Sequence, residues 1–162
     1  MNHILLIIIL MLLQALVFGR IHVMGAATPL VYLYFALQMP RNMPRGLSIL
    51  MCFMLGMGVD IFCNTPGLAA ASMTFTGFLQ PYVLSLFLSR EDEDDFRPSR
   101  STMGFMRYFT YSTMLVLPYC IVFFSLDALS LSPWHEWAIG VAGSYILTMI
   151  LVMSKEYIKK KR

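Results

Sequence analysis

Charged residues are scarce in this sequence. Asp, Glu, Lys and Arg make up 13% of its 162 residues, whereas hydrophobic residues make up 58%. A soluble globular domain typically carries about 25% charged residues. The composition therefore excludes an ordinary soluble domain and predicts an integral membrane protein. We expect one compact domain over residues 1–162, with no sizeable domain outside the membrane.

Motifs for catalysis and metal binding are also missing. The three cysteines occur singly, without a Cys-x-x-Cys pair, so neither a disulfide framework nor a zinc site is indicated. The three histidines lie near the ends of apolar runs and have no metal-ligating partner three or four residues away. The sequence contains no Gly-x-Ser-x-Gly, no His-Glu-x-x-His and no Gly-rich phosphate loop. We therefore expect a protein that is not an enzyme and that uses no cofactor or metal.

Long apolar runs, by contrast, are abundant. A helix that crosses a bilayer needs about 20 mainly apolar residues. Six runs approach or reach this length, which predicts an all-α integral membrane protein with six transmembrane helices. The first run has no Lys or Arg before it and no Ala-x-Ala site after it, so we interpret it as an uncleaved helix. The predicted spans are residues 4–18, 24–39, 47–62, 68–88, 104–126 and 134–153.

The basic residues orient these spans. Six spans place both termini on the same side of the membrane. Of the 12 Lys and Arg residues, all except Arg20 fall on that side, in or next to the loops 40–46 and 89–103 and in the tail 155–162. Cytoplasmic loops carry an excess of Lys and Arg. We therefore predict that both termini are cytoplasmic and that the connections 19–23, 63–67 and 127–133 face outward.

Asp60 is the only acidic residue that lies inside an apolar run rather than at its end. A carboxylate at the centre of a transmembrane helix costs about 2.5–3.5 kcal/mol and is usually buried against protein or beside water. Cys52, Gly56 and Asp60 are spaced by four and share one helix face, which Asn64 continues toward the loop. A face of small and polar groups is expected to pack on protein rather than on lipid.

The segment after Asp60 supplies a matching surface. The turn signal Asn64-Thr65-Pro66-Gly67 predicts that the third and fourth spans form an antiparallel hairpin. Small side chains at the start of the fourth span, including Ala70, permit a close approach of the two backbones. The candidate helix-packing or partner-binding residues are Cys52, Gly56, Asp60, Asn64, Pro66, Gly67, Ala71, Thr74 and Gly77.

Three interpretations of Asp60 stay open at this level. Its carboxylate caps the hairpin by accepting hydrogen bonds from turn amides or from a hydroxyl such as that of Thr65, or it contacts a partner, or it binds a proton or a ligand. The predicted topology places Asp60 near the outer surface. That position lowers the cost of burying the carboxylate and argues against a proton relay.

Two charged segments lie outside the spans. Residues 91–95 form the acidic cluster Glu-Asp-Glu-Asp-Asp between arginines, which is either a solvated loop or a docking site for a basic surface of a cytoplasmic partner. The tail 159–162 is Lys-Lys-Lys-Arg and is expected to anchor the topology at anionic lipid headgroups.

Residues 25–90 resemble the bacterial rod shape-determining protein family MreD, in a divergent form. The remaining helices match that family only in number and length, and the acidic cluster 91–95 belongs to none of its patterns. The features that carry the resemblance, in chain order, are Pro29 at the head of a run with Tyr32 and Tyr34, the basic turn Arg41–Arg45 with Gly46, Gly56-x-x-x-Asp60, Asn64-x-Pro66-Gly67, and an alanine-rich helix that ends near Gly77.

The resemblance implies a non-enzymatic subunit of the machinery that elongates the lateral cell wall, located in the bacterial inner membrane. Its implied partners are a periplasmic single-span MreC-like protein, actin-like MreB, and the peptidoglycan glycosyltransferase and transpeptidase. The family's fold is similar to the six-helix membrane subunits that bind substrate in energy-coupling-factor transporters. A substrate-binding subunit of a vitamin-type transporter is therefore the alternative function, because a fold does not determine a function.

Overall fold

The described residues of the computed structural model are 30, 32–65, 67–88, 96–128 and 134–161. All regular secondary structure within them is α-helical, which confirms the all-α prediction for this part of the chain. The first predicted span, and residues 24–29 and 31 of the second, lie outside the described residues. The helices are α1 (Leu33–Leu37), α2 (Arg45–Cys63), α3 (Leu68–Phe87), α4 (Arg100–Met103), α5 (Phe105–Ala128) and α6 (Trp134–Lys161).

Three of these helices are long and apolar enough to cross a membrane. They are α2, α5 and the Trp137–Tyr157 part of α6, with mean hydropathies of 2.0, 1.7 and 1.8. The 20-residue helix α3 is not among the three, although the sequence predicts a span over 68–88. It continues through Pro81 and carries polar side chains such as Thr76 and Gln80. Both of these polar side chains are buried inside the protein.

Helix α3 is at the centre of the described helices, because it packs against α2 on one side and α5 on the other. Helix α6 packs against α5. The short helix α1 contacts both α3 and α5, and all five of its residues are buried. A helix that is apolar all round belongs in a protein interior. All five side chains of α1 thus belong to the hydrophobic core.

The basic ends of the helices gather at one end of the protein. The amide of Arg41, in the turn before α2, donates to the carbonyl of Phe96 at 3.0 Å. The amide of Arg100, the first residue of α4, donates to the Glu156 carboxylate near the end of α6 at 3.3 Å. The Gln38 side chain donates to the same carboxylate at 2.8 Å. These bonds connect three segments for which the sequence predicts a common side of the membrane.

Helix α4 differs from the sequence expectation, which treats residues 89–103 as a connecting loop. Ser99 is its N-cap, and a capping box joins Ser99 to Thr102: the Ser99 hydroxyl accepts from the Thr102 amide while the Thr102 hydroxyl accepts from the Ser99 amide. This reciprocal pair satisfies two donors that a helix start otherwise leaves unpaired. Gly104 ends the helix at a φ of 81° and allows α5 to begin one residue later.

Candidate functional site

The Asp60 carboxylate lies where α2 ends and α3 begins, and only 7% of the residue is exposed. Three hydrogen bonds surround it. The Thr65 hydroxyl donates to Oδ1 at 2.6 Å, the Ala69 amide donates to Oδ1 at 2.9 Å, and the Ala70 amide donates to Oδ2 at 2.8 Å. Both carboxylate oxygens are thus used inside the protein. The hydroxyl partner is the one expected from the sequence, whereas the amides belong to the first turn of α3 rather than to the connecting turn.

Asp60 therefore acts as the N-terminal cap of a helix to which it does not belong. The first amides of an α-helix have no partner within the helix, and a side chain at the N-cap position usually accepts from the second or third of them. The N-cap of α3 is Gly67, which has no side chain to do this. The second and third helical residues of α3 are Ala69 and Ala70, so the two oxygens of Asp60 take over the function of the missing cap.

The helix dipoles act on Asp60 in opposite directions. Its position in the last turn of α2 puts a negative charge at the negative end of that helix, whereas the start of α3 is a positive end. Dipole effects are worth about 0.3–1 kcal/mol each, but a hydrogen bond to a charged group contributes about 1.5–3 kcal/mol. The two direct bonds from α3 therefore dominate and hold the helices together.

The two backbones approach each other closely at two glycines. A Cβ atom on Gly56 would lie 2.6 Å from the Ala69 carbonyl oxygen, closer than any real side chain permits. A Cβ atom on Gly77 would lie 2.9 Å from the Cys52 sulfur. The two helices are antiparallel, because the first half of α2 contacts the middle of α3 and the end of α2 contacts the beginning of α3. Cys52, Gly56, Asp60 and Gly77 thus form one continuous interface.

The other predicted site residues occupy different places. Asn64 is the exposed C-cap of α2, with a φ of 56° in the left-handed region, and its amide donates to the Asp60 carbonyl. Gly67 also has a positive φ, of 81°, and is exposed. Ala71 is exposed, so it does not belong to the interface with α2. Thr74 is half-buried and donates its hydroxyl to the Ala70 carbonyl at 2.6 Å. Pro66 lies outside the described residues.

An open groove of about 560 Å³ lies beside the capped hairpin. Asp60 and Thr65 are among its lining residues, and its walls include the apolar side chains of Phe53, Met57 and Ile61. Met57 is 40% exposed and Ile61 is 73% exposed. The groove therefore presents apolar surface directly next to the segment that is hydrogen-bonded to Asp60.

Sequence reasoning missed a second buried carboxylate, Glu156, which is 2% exposed at the basic end of the protein. Besides the bonds described above, it accepts from the Tyr34 hydroxyl at 2.9 Å and so ties α6 to α1. The signal for its burial was present. Ser144, Thr148, Val152 and Glu156 recur every four residues along α6, and all four are buried. The same spacing of four places Cys52, Gly56 and Asp60 on one face of α2.

No protein-family model, no curated protein and no solved structure matches this chain.

Proposed function

We propose that this protein is a non-enzymatic, six-span subunit of the cell-wall elongation machinery in the bacterial inner membrane. In this proposal it maintains rod shape as a member of the MreD family, by scaffolding an MreC-like protein, actin-like MreB and the peptidoglycan synthases. The three apolar helices that are long enough to cross a membrane are consistent with it. So is the clustering of basic segments at one end, which favours a cytoplasmic location for that end.

The observation that carries the proposal is the hairpin closed by the Asp60 hydrogen bonds, with an apolar groove beside it. Both oxygens of Asp60 accept hydrogen bonds from the first turn of α3 and from Thr65. We infer that Asp60 fixes the shape of this end of the hairpin, which the sequence predicts to face outward. A surface that is fixed in shape loses little conformational entropy on binding. We assign the groove to the membrane-spanning helix of the MreC-like partner, whose apolar side chains would pack against Phe53, Met57 and Ile61.

Co-purification tests this assignment. Replacing both Met57 and Ile61 with Ala should reduce recovery of the MreC-like partner with the tagged protein, because two exposed groove side chains are truncated. A loss of about 1.4 kcal/mol weakens binding about tenfold. Leu86→Ala is the matched control, since Leu86 is 74% exposed and lies on α3 near the opposite end of the hairpin. Equal recovery of the partner with the groove variant and with the control would contradict the assignment.

Depletion of the protein in the source bacterium tests the function itself. Loss of elongated cell shape supports the wall-elongation scaffold. The alternative, a substrate-binding subunit of a vitamin-type transporter, predicts instead a growth defect that is cured by a nutrient. It also predicts that the purified protein carries a bound small molecule, which mass spectrometry of the denatured sample detects.

A further inference from the structure

Basic side chains lie against aromatic rings at the basic end of the protein. The described residues form four such cation–π contacts, namely Arg45 with Tyr82, Arg100 with Phe105 and with Tyr157, and Lys155 with Tyr34. Contacts of this kind occur about once per 70–80 residues, so a chain of this length is expected to have about two. All four lie at the end where the Glu156 carboxylate joins α6 to α1 and α4. Their common position therefore needs a physical reason.

The contacts coincide with the ends of the apolar runs in the sequence. Arg45 precedes the run 47–62, Phe105 begins the run 104–126, and Tyr157 follows the run 134–153 by one helical turn. Where helices leave the hydrocarbon region, aromatic rings are favoured at the level of the headgroups. Long basic side chains also bury their stems there while the charge reaches the polar layer. Three helices thus carry the signature of the membrane interface at the same end of the protein.

The most extensive of these groups is centred on Arg100. Its guanidinium lies 4.9 Å from the centre of the Phe105 ring and 5.4 Å from the centre of the Tyr157 ring, so it joins the start of α5 to the last turns of α6. Both rings are exposed, and the neighbouring Met106 is 74% exposed. We call Arg100, Phe105, Met106 and Tyr157 the Arg100 cluster. It is an exposed apolar surface with a cation at its centre.

The backbone that carries the Arg100 cluster is fixed by contacts inside the protein. The Arg100 amide donates to the buried Glu156 carboxylate at 3.3 Å, and Met103 of the same short helix is buried. Gly104, at a φ of 81°, turns the chain from α4 into α5. The segment therefore packs inward through Met103 while the rings beside it remain on the surface. This exposure is a property of the folded structure.

The surface next to the Arg100 cluster indicates what covers it. Exposed apolar side chains continue from Met106 along α5, and they are Phe109, Met114, Leu117 and Ile121. Helix α5 is long and apolar enough to cross a membrane, so this face is expected to lie against hydrocarbon. The Arg100 cluster is the polar end of that same face. A lipid bilayer presents hydrocarbon and then headgroups in this order, and it covers both parts without interruption.

We propose that the Arg100 cluster is a lipid-binding surface that holds residues 100–106 in the headgroup layer of the bilayer. Met106 then lies at the border of the hydrocarbon, and the Arg100 guanidinium lies among the headgroups. The sequence predicts a connecting loop over 89–103, whereas in this proposal the last part of that loop belongs to the membrane interface. Zwitterionic lipid is sufficient, because the aromatic rings supply the affinity for the interface. The proposal does not depend on a role in cell-wall elongation.

Spin-label depth measurements on the full chain in phosphatidylcholine bilayers test this placement. A Cys63→Ser background removes the one cysteine that is not fully buried. Single nitroxide labels are then attached through Ser101→Cys, Met106→Cys or Met114→Cys, since all three side chains are exposed. Paramagnetic resonance compares the accessibility of each label to oxygen, which prefers hydrocarbon, and to a nickel complex, which prefers water. The label at 114 should lie about 12 Å deeper than the label at 106, because eight residues separate them on α5. The label at 101 should be the shallowest but still less accessible to nickel than a free nitroxide in buffer.

Arg100→Gln removes the cation from both rings, so it should raise the nickel accessibility of the label at 101. Arg107→Gln is the matched control, because Arg107 is exposed on the first turn of α5 but contacts no ring among the described residues. It should leave the accessibility unchanged.

Three results would overturn the proposal. The first is labels at 101 and 106 that are as accessible to nickel as a free nitroxide, which would leave the Arg100 cluster to water or to a soluble protein partner. The second is equal depth at 106 and 114, and the third is an equal effect of the two arginine variants. The comparison of 106 with 114 needs no change at Arg100, so it is decisive even if Arg100→Gln fails to fold.

Discussion

Replacing Asp60 with Ala should destabilise the protein strongly, because the change removes the only cap that the structure provides for the second and third amides of α3 among its described residues. A buried donor that loses its partner costs about 1–3 kcal/mol, so the Ala69 and Ala70 amides together cost about 2–6 kcal/mol. Part of this is recovered, since the carboxylate no longer has to be removed from water. We therefore expect a net loss of about 2–4 kcal/mol in the free energy of unfolding.

Two further variants separate the contributions to this loss. Asp60→Asn keeps one acceptor oxygen and the shape of the side chain, so we expect about half of the loss seen with Ala. Thr65→Val removes only the hydroxyl that donates to Oδ1, and should cost about 1 kcal/mol. The order of stability should therefore be wild type, Thr65→Val, Asp60→Asn and Asp60→Ala, from highest to lowest.

Thermal unfolding of the purified protein in detergent measures these differences. For a chain of 150–250 residues, 1 kcal/mol shifts the melting temperature by about 2–4 °C, so Asp60→Ala should lower it by roughly 4–16 °C. Asp127→Ala is the matched control, because Asp127 is an exposed acidic residue in the last turn of α5. Exposed carboxylates contribute little to stability. If Asp60→Ala and Asp127→Ala melted at the same temperature, Asp60 would not be the cap of α3.

The same measurement checks three other predictions. Gly56→Ala should cost about 1–3 kcal/mol because its Cβ atom would overlap the backbone of α3, whereas Gly46→Ala, with no atom within 4 Å of the new methyl, should be neutral or stabilising. Tyr111→Phe should cost about 1 kcal/mol, since that hydroxyl donates to a carbonyl of α1, but Tyr108→Phe should cost nothing, since its buried hydroxyl has no partner among the described residues. Glu156→Gln should cost about 1–3 kcal/mol, because one acceptor oxygen that joins α1, α4 and α6 becomes a donor. A neutral Glu156→Gln, or equal effects within either matched pair, would refute the corresponding explanation.

For Asp60, the sequence predicts which helix face the carboxylate lies on, but it does not specify which amides bind it. The spacing of Cys52, Gly56 and Asp60 depends only on the geometry of a helix, so their common face follows from the sequence alone. Which amides donate to the carboxylate does not follow from the sequence, because it depends on how far α3 is shifted along α2. The close approach at Gly56 and Gly77 sets that shift and brings the first turn of α3 to the carboxylate.

Ala71 and Thr74 show that the size of a side chain alone does not predict whether it faces the neighbouring helix. The sequence groups both with the candidate helix-packing or partner-binding residues because their side chains are small. The face that a helix presents to its neighbour depends on its rotation about its own axis, which the contacts of Ala69, Ala70 and Gly77 determine. That rotation leaves Ala71 exposed and Thr74 half-buried.

The sequence by itself determined the helical class, the turn between α2 and α3, and the burial of Asp60 against protein, because these depend on composition and on spacing along single helices. Only the tertiary structure decided that α1 belongs to the core, that Glu156 joins three helices, and that the segment with Arg41 and Arg45 forms a cavity with the last turns of α3. Each of these features depends on contacts between residues far apart in the chain. Such contacts arise from the packing of whole helices, which no local pattern of residues specifies.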